Sequence, residues 1–328
     1  MTTLLEAAGL SKSFGAKPSG FQRLGAALGL SKAEEVRVHA VNDVSLSVAR
    51  GEVLGLVGDS GCGKSTVGRL IAGLLQPTAG ALTFDGMPLG EDRIRTHLNI
   101  QMVFQNPYAS LNPRQRIDQV ISEAALQHGL ISRKDAPGFV AGLLKQVGLD
   151  ASYAQRYPHQ FSGGQRQRIA IARALALNPR FVVCDEAVSA LDVSVQAQIL
   201  NLFMDLRESQ ELTYLFISHN LAVVEYIADR VAIMYLGRII ELADTRSVFA
   251  SPNHPYTQAL IADAPRLDRK TTTHRPISGE LPSPLRPPGG CAFHPRCPHA
   301  MPRCSQERPL LRNIAPGHWS ACHLNDMQ

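Results

Sequence analysis

The chain has 328 residues, of which 45% are hydrophobic and 19% charged, and its formal net charge is +5. This composition is globular and excludes general disorder, and the length indicates one large or two modest domains. Aromatic residues are only 6% and the basic residues form no runs, which argues against a stacking platform or a basic arm for nucleic acid. No stretch has the roughly 20 apolar residues of a membrane helix, and the first residues lack a secretory signal. We therefore expect a soluble, cytosolic protein.

The N-terminal part predicts two exposed antiparallel strands, at residues 4–10 and 41–48, because apolar and polar side chains alternate there. The segment 15–37 between them is rich in Gly, Lys and small residues and is predicted to be a loop. Short, continuous apolar runs further along predict buried strands, of the kind found in parallel sheets. These strands are predicted at residues 52–57, 100–104, 181–184, 214–218, 231–235 and 238–242.

Helical patterns fill the intervals between these strands. Strands that alternate with helices predict an α/β fold with a parallel sheet. A helix-rich block over about residues 110–175 indicates a helical subdomain inserted in that sheet. From about residue 265 proline is frequent and hydrophobic periodicity disappears, so this part cannot build its own apolar core. The predicted helices cover residues 64–75, 117–130, 138–147, 165–177 and 193–208.

A phosphate-binding loop is indicated directly after the predicted strand at 52–57. The sequence GDSGCGKST matches the pattern G-x-x-x-x-G-K-[ST] and lies between a strand and a helix, which is the context this motif requires. Glycines let backbone N–H groups converge on phosphate oxygens, and a helix N-terminus adds positive potential. Lys64 can neutralise the β- and γ-phosphates, and Ser65 can ligate Mg²⁺. The candidate ATP-binding residues are Gly58, Asp59, Ser60, Gly61, Cys62, Gly63, Lys64, Ser65 and Thr66.

Two further motifs carry chemistry. Asp185 and Glu186 end the predicted strand at 181–184, where Asp185 can hold Mg²⁺ and Glu186 can polarise a water aimed at the γ-phosphate. Two adjacent carboxylates can also be plain loop charges, but the phosphate loop upstream favours the chemical role. The sequence FSGGQRQR begins at residue 161 and contains Ser162, a good helix cap, followed by two glycines that allow close backbone approach.

Together these motifs resemble those of ATP-binding cassette (ABC) ATPases, whose signature sequence is Leu-Ser-Gly-Gly-Gln. Phe161 replaces the leucine here, and Ala187 replaces the proline that commonly follows the catalytic glutamate. The resemblance covers residues 4–265 and implies a P-loop ABC cassette with a parallel-sheet core, antiparallel N-terminal strands and an inserted α-helical subdomain. An irregular, Cys-rich C-terminal extension would follow over 266–328, so that the cassette occupies 1–265.

The same resemblance implies roles for single residues. Glu186 would be the general base and His219 the switch histidine at the γ-phosphate. Gln105 would be the Q-loop glutamine that senses Mg²⁺ and the attacking water. Phe14 resembles the aromatic residue that stacks on adenine. The remaining assignments are Mg²⁺ ligation by Ser65, Gln105 and Asp185, a D-loop at Asp192, and signature contacts from Ser162, Gly163, Gly164 and Gln165 to the ATP of a partner subunit.

Six cysteines are present, and four of them lie after residue 290. In a reducing compartment such clustering favours a metal site over disulfides. No pair has the close spacing typical of zinc sites, but four thiolates suit either tetrahedral Zn²⁺ or a [4Fe–4S] cluster. Nearby histidines could replace a thiolate, and disulfides or no ligand at all remain open. Cys62 and Cys184 are interpreted as structural, with Cys62 a possible target of oxidation. The clustered cysteines are Cys291, Cys297, Cys304 and Cys322.

The segments 251–260 and 291–298 are similar to the C-terminal extension of the oligopeptide/dipeptide/nickel group of ABC importers. Several members of that group carry a [4Fe–4S] cluster on four such cysteines. The resemblance implies a peripheral ATPase subunit on the cytoplasmic face of the bacterial inner membrane, powering peptide import. Its partners would be a homologous ATPase subunit in a heterodimer, two transmembrane permease subunits and an extracytoplasmic peptide-binding protein.

Two alternatives remain at this point. Within the same group of importers the cargo could be nickel, an opine, a sugar or glutathione, since the ATPase does not touch cargo. In another class, a soluble ABC ATPase could act on nucleic acid or ribosomes. Such proteins usually have two cassettes in one chain or a long coiled-coil insertion, and this sequence has neither.

Overall fold

Two β-sheets organise the part of the chain that the computed structural model describes, which comprises residues 2–15, 37–89, 94, 98–263, 279–280 and 282–326. The predicted loop at 15–37 and the predicted domain boundary at 265–266 fall outside these residues, apart from the loop's two ends. The smaller sheet is antiparallel and has the strand order β2-β1-β4-β5. Its strands are β1 (Thr3–Gly15), β2 (Arg37–Ala49), β4 (Ala79–Phe84) and β5 (Met87–Pro88).

The larger sheet has eight strands. They are β3 (Val53–Val57), β6 (Ile100–Val103), β7 (Phe181–Asp185), β8 (Thr213–Ser218), β9 (Arg230–Tyr235), β10 (Arg238–Asp244), β11 (Arg312–Ala315) and β12 (His318–Ser320). Their order is β11-β12-β10-β9-β3-β8-β7-β6. The five strands from β9 to β6 run parallel, and β10, β12 and β11 continue the sheet with antiparallel pairing.

The helices lie mostly between these strands. They are α1 (Lys64–Ile71), α2 (Pro107–Ser110), α3 (Ile117–Gln127), α4 (Ala136–Gln146), α5 (Gly163–Leu175), α6 (Val193–Gln210), α7 (Leu221–Ile227), α8 (Thr245–Ala250), α9 (Pro255–Asp263) and α10 (Pro302–Gln306). Short 3₁₀ helices occur at Ala151–Gln155, Pro158–Gln160, His294–Arg296 and His323–Asp326.

Apolar cores lie on both sides of the larger sheet. On one side, side chains of α3 to α6 pack with residues of β7 and β8, as Ile117, Ile169 and Phe203 do. On the other side, α1 and the smaller sheet pack together, with Leu5, Val67 and other fully buried side chains. The sheet is therefore covered on both faces, which explains the continuous apolar runs of its parallel strands.

The predicted α/β fold with a parallel sheet and antiparallel N-terminal strands is confirmed. Each predicted strand and helix outside the segment 15–37 is present, with ends that differ by a few residues. Before residue 265 the structure adds elements that the sequence did not predict, namely strands β4 and β5 and helices α2, α7, α8 and α9. Helices α2 to α5 lie between β6 and β7, as expected for an inserted helical block, although the division of the chain into domains stays a prediction.

The expectation that residues 266–328 are irregular was wrong for the described part. These residues form α10 and the hairpin of β11 and β12, and β12 pairs with β10 through Glu241 opposite Ser320 and Leu242 opposite Trp319. The strands have only three and four residues, too few for a recognisable hydrophobic period. Because β12 pairs with the existing sheet edge at β10 and β11 pairs with β12, the hairpin needs no apolar core of its own. Within the described residues, no helix is both long and apolar enough to cross a membrane.

Candidate nucleotide site

The loop between β3 and α1 is shaped by two glycines. Gly63 has a φ of 110°, and a Cβ atom there would lie 2.1 Å from the carbonyl oxygen of Ala40. Gly58 has a φ of 159°, and a Cβ atom there would lie 2.1 Å from the carbonyl oxygen of Met234. No other residue type fits either position without moving the neighbouring backbone. The motif glycines are therefore required by close packing of the loop as well as by its turn.

Lys64 is buried and its ammonium group lies inside this loop. Its Nζ donates hydrogen bonds to the carbonyl oxygens of Gly58 at 2.7 Å and Asp59 at 2.9 Å. The loop thus presents a cation at the first turn of α1, whose N-terminal N–H groups add positive potential. This arrangement can hold the phosphates of a nucleotide, as the motif predicted.

Ser65 and Asp185 meet although 120 residues separate them. The hydroxyl of Ser65 donates a hydrogen bond of 2.7 Å to Oδ1 of Asp185. Burial raises the pKa of Asp185, against the opposing effects of the Ser65 hydroxyl and the nearby Arg69 charge. A hydroxyl and a carboxylate are oxygen donors of the kind that Mg²⁺ prefers, so the pair fits the predicted Mg²⁺ site.

Glu186 occupies a strained backbone position at the end of β7. Its φ is 50°, in the left-handed region that residues other than glycine rarely adopt, and its N–H donates to the carbonyl oxygen of Ile217 at 3.0 Å. Its Oε2 accepts a hydrogen bond from Nε2 of Gln105 at 2.9 Å and lies 3.2 Å from Nδ1 of His219. The Glu186 side chain is 14% exposed, so water can reach the carboxylate from one side.

These contacts follow from the topology of the sheet. Lys64 follows β3, Gln105 follows β6, Glu186 follows β7 and His219 follows β8, and these four strands are parallel neighbours. Their carboxyl ends therefore lie along one edge, which is where open α/β sheets bind ligands. The structure brings the predicted phosphate loop, Mg²⁺ residues, Q-loop glutamine, base and switch histidine together at that edge.

The signature residues form a separate feature. Ser162 caps α5 in a capping box: its Oγ accepts from the N–H of Gln165 at 3.4 Å, and Oε1 of Gln165 accepts from the N–H of Ser162 at 3.0 Å. Asp192 likewise caps α6, accepting from the N–H of Val195 at 3.0 Å. Among the described residues, no hydrogen bond or ion pair joins the segment 162–165 to the loop 58–66. Gly163 and Gly164 are only partly exposed, whereas Ser162 is on the surface.

The predicted adenine platform lies near the end of β1. Phe14 is 41% exposed, its Cα is paired with Val38 of β2, and Nζ of Lys12 lies 5.3 Å from the centre of its ring. An exposed aromatic ring can stack on a base. The assignment of Phe14 to adenine stays a prediction.

Sequence reasoning missed two residues that contact the phosphate loop. The N–H of Asp59 donates a hydrogen bond of 3.0 Å to the hydroxyl of Tyr256, and Nη1 of Arg296 lies 3.7 Å from Oδ2 of Asp59. Tyr256 lies in the segment 251–260 that resembles importer extensions, but nothing in its spacing connected it with the loop. Arg296 lies in the other such segment, 291–298, and its contact with Asp59 likewise could not be read from the sequence, because it arises from packing between segments more than 200 residues apart.

The expected iron–sulfur site is not supported by the structure. Across the described ranges, no group of three or more Cys, His, Asp and Glu side chains is arranged so that it could hold a metal ion, and this applies to the zinc alternative as well. All six cysteines are free, so the disulfide alternative is not observed either.

The four thiols nevertheless lie in one neighbourhood and fit a metal site in their chemistry. The pKa of Cys322 is raised to about 11, chiefly by burial and in smaller part by the charges of the nearby Cys291, Cys297 and Cys304. The N–H of Cys291 also donates to the carbonyl oxygen of Cys304 at 2.8 Å. Four free thiols in mutual electrostatic contact are the donor set that a tetrahedral metal or an iron–sulfur cluster takes.

The other two cysteines are buried. Cys62 is 3% exposed and Cys184 is fully buried. Burial raises the pKa of both thiols, which keeps them protonated and therefore poorly reactive. This agrees with the structural interpretation of both residues and disfavours oxidation of Cys62.

Two parts of the sequence match known families. Residues 41–189 match the ABC transporter family, and residues 240–304 match the C-terminal region of oligopeptide/dipeptide transporters. Over 330 residues the chain is 48% identical to the oligopeptide transport ATP-binding protein AppF of Bacillus subtilis (strain 168), an alignment that covers 98% of this chain and 97% of that protein. Over 326 residues it is 48% identical to the dipeptide transport ATP-binding protein DppF of Haemophilus influenzae, with 98% and 96% covered.

Solved structures give the same result for the fold. The cbiO1 protein of Clostridium perfringens, described as part of the ABC transporter complex cbiONQ, aligns with a TM-score of 0.63 at 25% identity, covering 76% of this chain and 92% of that one. The ATP-binding cassette MJ0796, in a dimeric post-hydrolysis state bound to ADP and Pi, aligns with a TM-score of 0.61 at 25% identity, covering 74% and 99%.

Proposed function

The chain belongs to the ABC transporter family of ATPases, and we propose that it is the ATP-hydrolysing subunit that powers peptide import across a bacterial inner membrane. The cassette fold expected from the sequence is confirmed by the similarity to known cassettes. The observation that carries the proposal is the meeting of Gln105, Glu186 and His219 beside the Lys64 loop, at distances of 2.9 and 3.2 Å to the Glu186 carboxylate. Peptide cargo rests on the relatives, which are named as oligopeptide and dipeptide transport proteins.

Nucleotide binding is assigned to the loop 58–66 and its surroundings. Lys64 exchanges its bonds with the loop carbonyls for bonds to the β- and γ-phosphates, and the backbone N–H groups of the loop hold the remaining phosphate oxygens. Phe14 stacks on the adenine ring. Burial of Lys64 strengthens its interaction with the phosphates, because screening by water is weaker there.

Ser65, Asp185 and Gln105 are the residues that hold Mg²⁺. The ion neutralises charge on the phosphates and thereby supplies electrostatic stabilisation to phosphoryl transfer. Ser65 and Asp185 already face each other at 2.7 Å. Burial raises the pKa of Asp185, and a cation held beside its carboxylate would favour the ionised form.

Glu186 acts as the general base. Its carboxylate accepts a proton from the attacking water, while His219 and Gln105, which both contact Oε2 of Glu186, orient this carboxylate and approach the γ-phosphate. The backbone of Glu186 has a φ of 50°, and strain of this kind is typical of active-site residues.

The second half of the site comes from another subunit. Ser162, Gly163, Gly164 and Gln165 contact the ATP bound by a homologous cassette, and Asp192 lies at the same interface. Support comes from the surface position of Ser162 and from the dimeric cassette MJ0796, which aligns over 74% of this chain. Loss of the γ-phosphate opens such a dimer, which is a rigid-body switch.

The assembly we propose lies on the cytoplasmic face of the membrane. This chain pairs with a homologous ATPase in a heterodimer, and both dock on two permease subunits, which receive peptide from an extracytoplasmic binding protein. The match of residues 240–304 to the C-terminal region of oligopeptide/dipeptide transporters supports this choice among ABC systems.

We also propose that Cys291, Cys297, Cys304 and Cys322 bind a [4Fe–4S] cluster, with Zn²⁺ as the alternative. Their common neighbourhood and free thiols support the proposal. Such a group would tie the segments of the extension together. Anaerobic purification should give a brown protein with about four iron and four sulfide per chain. One zinc per colourless chain would support the alternative. A chain that contains neither iron nor zinc would contradict the proposal.

Uptake assays test the function. A strain that lacks this gene is complemented with the wild type or with Glu186→Gln, and the uptake of a labelled dipeptide and a labelled pentapeptide is measured. We expect the wild type alone to restore uptake. Restoration of uptake by the variant would show that Glu186 is not the general base. If the wild type restores neither peptide, peptide cargo is wrong, and uptake of Ni²⁺ and sugars is measured next.

A further inference from the structure

The C-terminal extension packs directly against the phosphate loop. The 3₁₀ helix His294–Arg296 lies between Cys291 and Cys297, and Phe293 just before it is 2% exposed. The Phe293 ring is in edge contact with Tyr235 and Tyr256, with ring centres 5.4 and 5.5 Å apart. This aromatic cluster is buried, so the position of the extension is fixed relative to β9 and α9.

Two polar contacts run from this cluster to Asp59, the second residue of the phosphate loop. The hydroxyl of Tyr256 accepts the N–H of Asp59 at 3.0 Å, and Nη1 of Arg296 lies 3.7 Å from Oδ2 of Asp59. Arg296 is mostly buried, with 10% of its side chain exposed, and its Nη1 also approaches the hydroxyl of Tyr235 at 3.5 Å. The Asp59 contact is therefore the ion pair of a largely desolvated guanidinium.

We propose that α9 and the C-terminal extension together hold the phosphate loop in its nucleotide-binding conformation, with Tyr256 of α9 and Arg296 of the extension as positioning residues that act through Asp59. The proposal rests on the proposed function, because it assumes that the loop binds ATP.

Each residue has a distinct physical effect. Tyr256 fixes the direction of one N–H at the start of the loop, and with it the path of the backbone that follows. Arg296 neutralises the carboxylate of Asp59, which lies in the loop that binds the phosphates. Without Arg296, the Asp59 charge would be free to repel the phosphates, and this repulsion would weaken with added salt.

Nucleotide binding provides the test. The dissociation constant of a fluorescent ATP analogue carrying an N-methylanthraniloyl group is measured with the purified full-length chain at low and high salt. Tyr256→Phe removes one hydrogen bond and should raise the dissociation constant about three- to tenfold at both salt concentrations. Arg296→Gln should weaken binding by about the same factor at low salt and less at high salt, and Arg296→Lys should restore part of it.

A second substitution separates charge from folding. If Arg296 acts through the Asp59 carboxylate, Asp59→Asn combined with Arg296→Gln should bind the analogue as well as Asp59→Asn alone. Arg303→Gln is the matched control, because Arg303 lies in α10 of the same extension and pairs with Glu307 and Asp326 instead. Its dissociation constant should equal that of the wild type, and melting temperatures identify variants that fail to fold.

The outcomes are distinct. Equal binding by the wild type, Tyr256→Phe and Arg296→Gln overturns the inference and leaves the proposed function intact. The inference is also wrong if the defect of Arg296→Gln is the same at both salt concentrations and persists in the double variant. Absence of binding by the wild type would instead contradict the proposed function itself.

Discussion

Gln105 donates a 2.9 Å hydrogen bond to the carboxylate of Glu186, across 81 residues of sequence. This contact joins the loop that follows β6 to the end of β7. It means that the proposed base is already oriented by a neighbouring side chain in the structure. A substitution of Gln105 would therefore also alter the orientation of the Glu186 carboxylate.

The substitution Glu186→Gln should abolish turnover and preserve ATP binding. The amide keeps the hydrogen bonds that a neutral group can make but cannot accept a proton from water, so hydrolysis should fall by about 10²–10⁴-fold. The measurement is phosphate release by the assembled transporter, together with nucleotide binding. Glu208→Gln, at an exposed position of α6, is the control and should hydrolyse at the wild-type rate. Undiminished hydrolysis by Glu186→Gln would exclude Glu186 as the base.

Gly163→Ala should distinguish an effect on the fold of this chain from an effect on the ATP site that two subunits share. A Cβ atom at Gly163 would meet Leu191 at 3.5 Å, an ordinary contact, so the isolated chain should keep its stability to within about 0.5 kcal/mol. In the assembled transporter the same methyl group would obstruct the close approach of the partner's ATP and lower hydrolysis. Gly164→Ala is the contrast, because its Cβ atom would lie 2.5 Å from Val195 and destabilise the chain itself. Wild-type hydrolysis by assembled Gly163→Ala would argue against the signature role.

Stability should depend on pH through His254. This residue is buried, its Nδ1 accepts the N–H of Tyr256 at 3.0 Å, and burial lowers its pKa from 6.5 to about 3. The unfolded chain therefore takes up the proton first as the pH falls, so stability is present above pH 6.5 and is lost below it. Between pH 7.5 and 5 the loss due to His254 should be about 2 kcal/mol.

Urea unfolding at both pH values measures this effect. His254→Asn keeps an acceptor for the Tyr256 N–H but cannot take up a proton. Between pH 7.5 and 5 the free energy of unfolding of this variant should therefore decrease by about 2 kcal/mol less than that of the wild type. His128→Asn, at an exposed position, should follow the wild type. Parallel curves for the wild type and His254→Asn would show that His254 contributes nothing to the pH dependence.

Glu241→Gln should loosen the extension. The Glu241 carboxylate is fully buried and accepts hydrogen bonds from the N–H groups of Asn253 and His254 and from Nε2 of His318, at 2.8, 2.9 and 2.7 Å. An amide can accept through only one oxygen, so we expect a loss of about 2–3 kcal/mol.

Trp319, the single tryptophan, lies in β12 next to His318 and reports on this region. In Glu241→Gln its emission should change at a lower urea concentration than the far-ultraviolet circular dichroism, because the extension would open before the core. Glu208→Gln again serves as the control. Coincident and unshifted transitions would contradict the anchoring role of Glu241.

The sequence determined the fold class and most of the site. Three local patterns indicated the site: the phosphate motif at 58–66, the acidic pair Asp185 and Glu186, and the signature residues 162–165. Each pattern is required by nearby backbone geometry or by chemistry. Gly63 shows the reason, since only glycine fits beside Ala40, and the constraint is visible as a residue type in the sequence. The presence and type of these strands and helices followed from continuous apolar runs and helical periods, whereas their ends differed by a few residues.

Only the tertiary structure decided which distant segments touch. The extension shows no hydrophobic period because its strands are short and add to the sheet at β10, where β12 pairs with β10 and β11 pairs with β12. The contacts of Tyr256 and Arg296 with Asp59 likewise join residues about 200 positions apart. Such contacts depend on how the sheet edge, α9 and the segment around Phe293 pack together. A single sequence shows which side chains are present in these segments, but not which distant residues they contact in the folded protein.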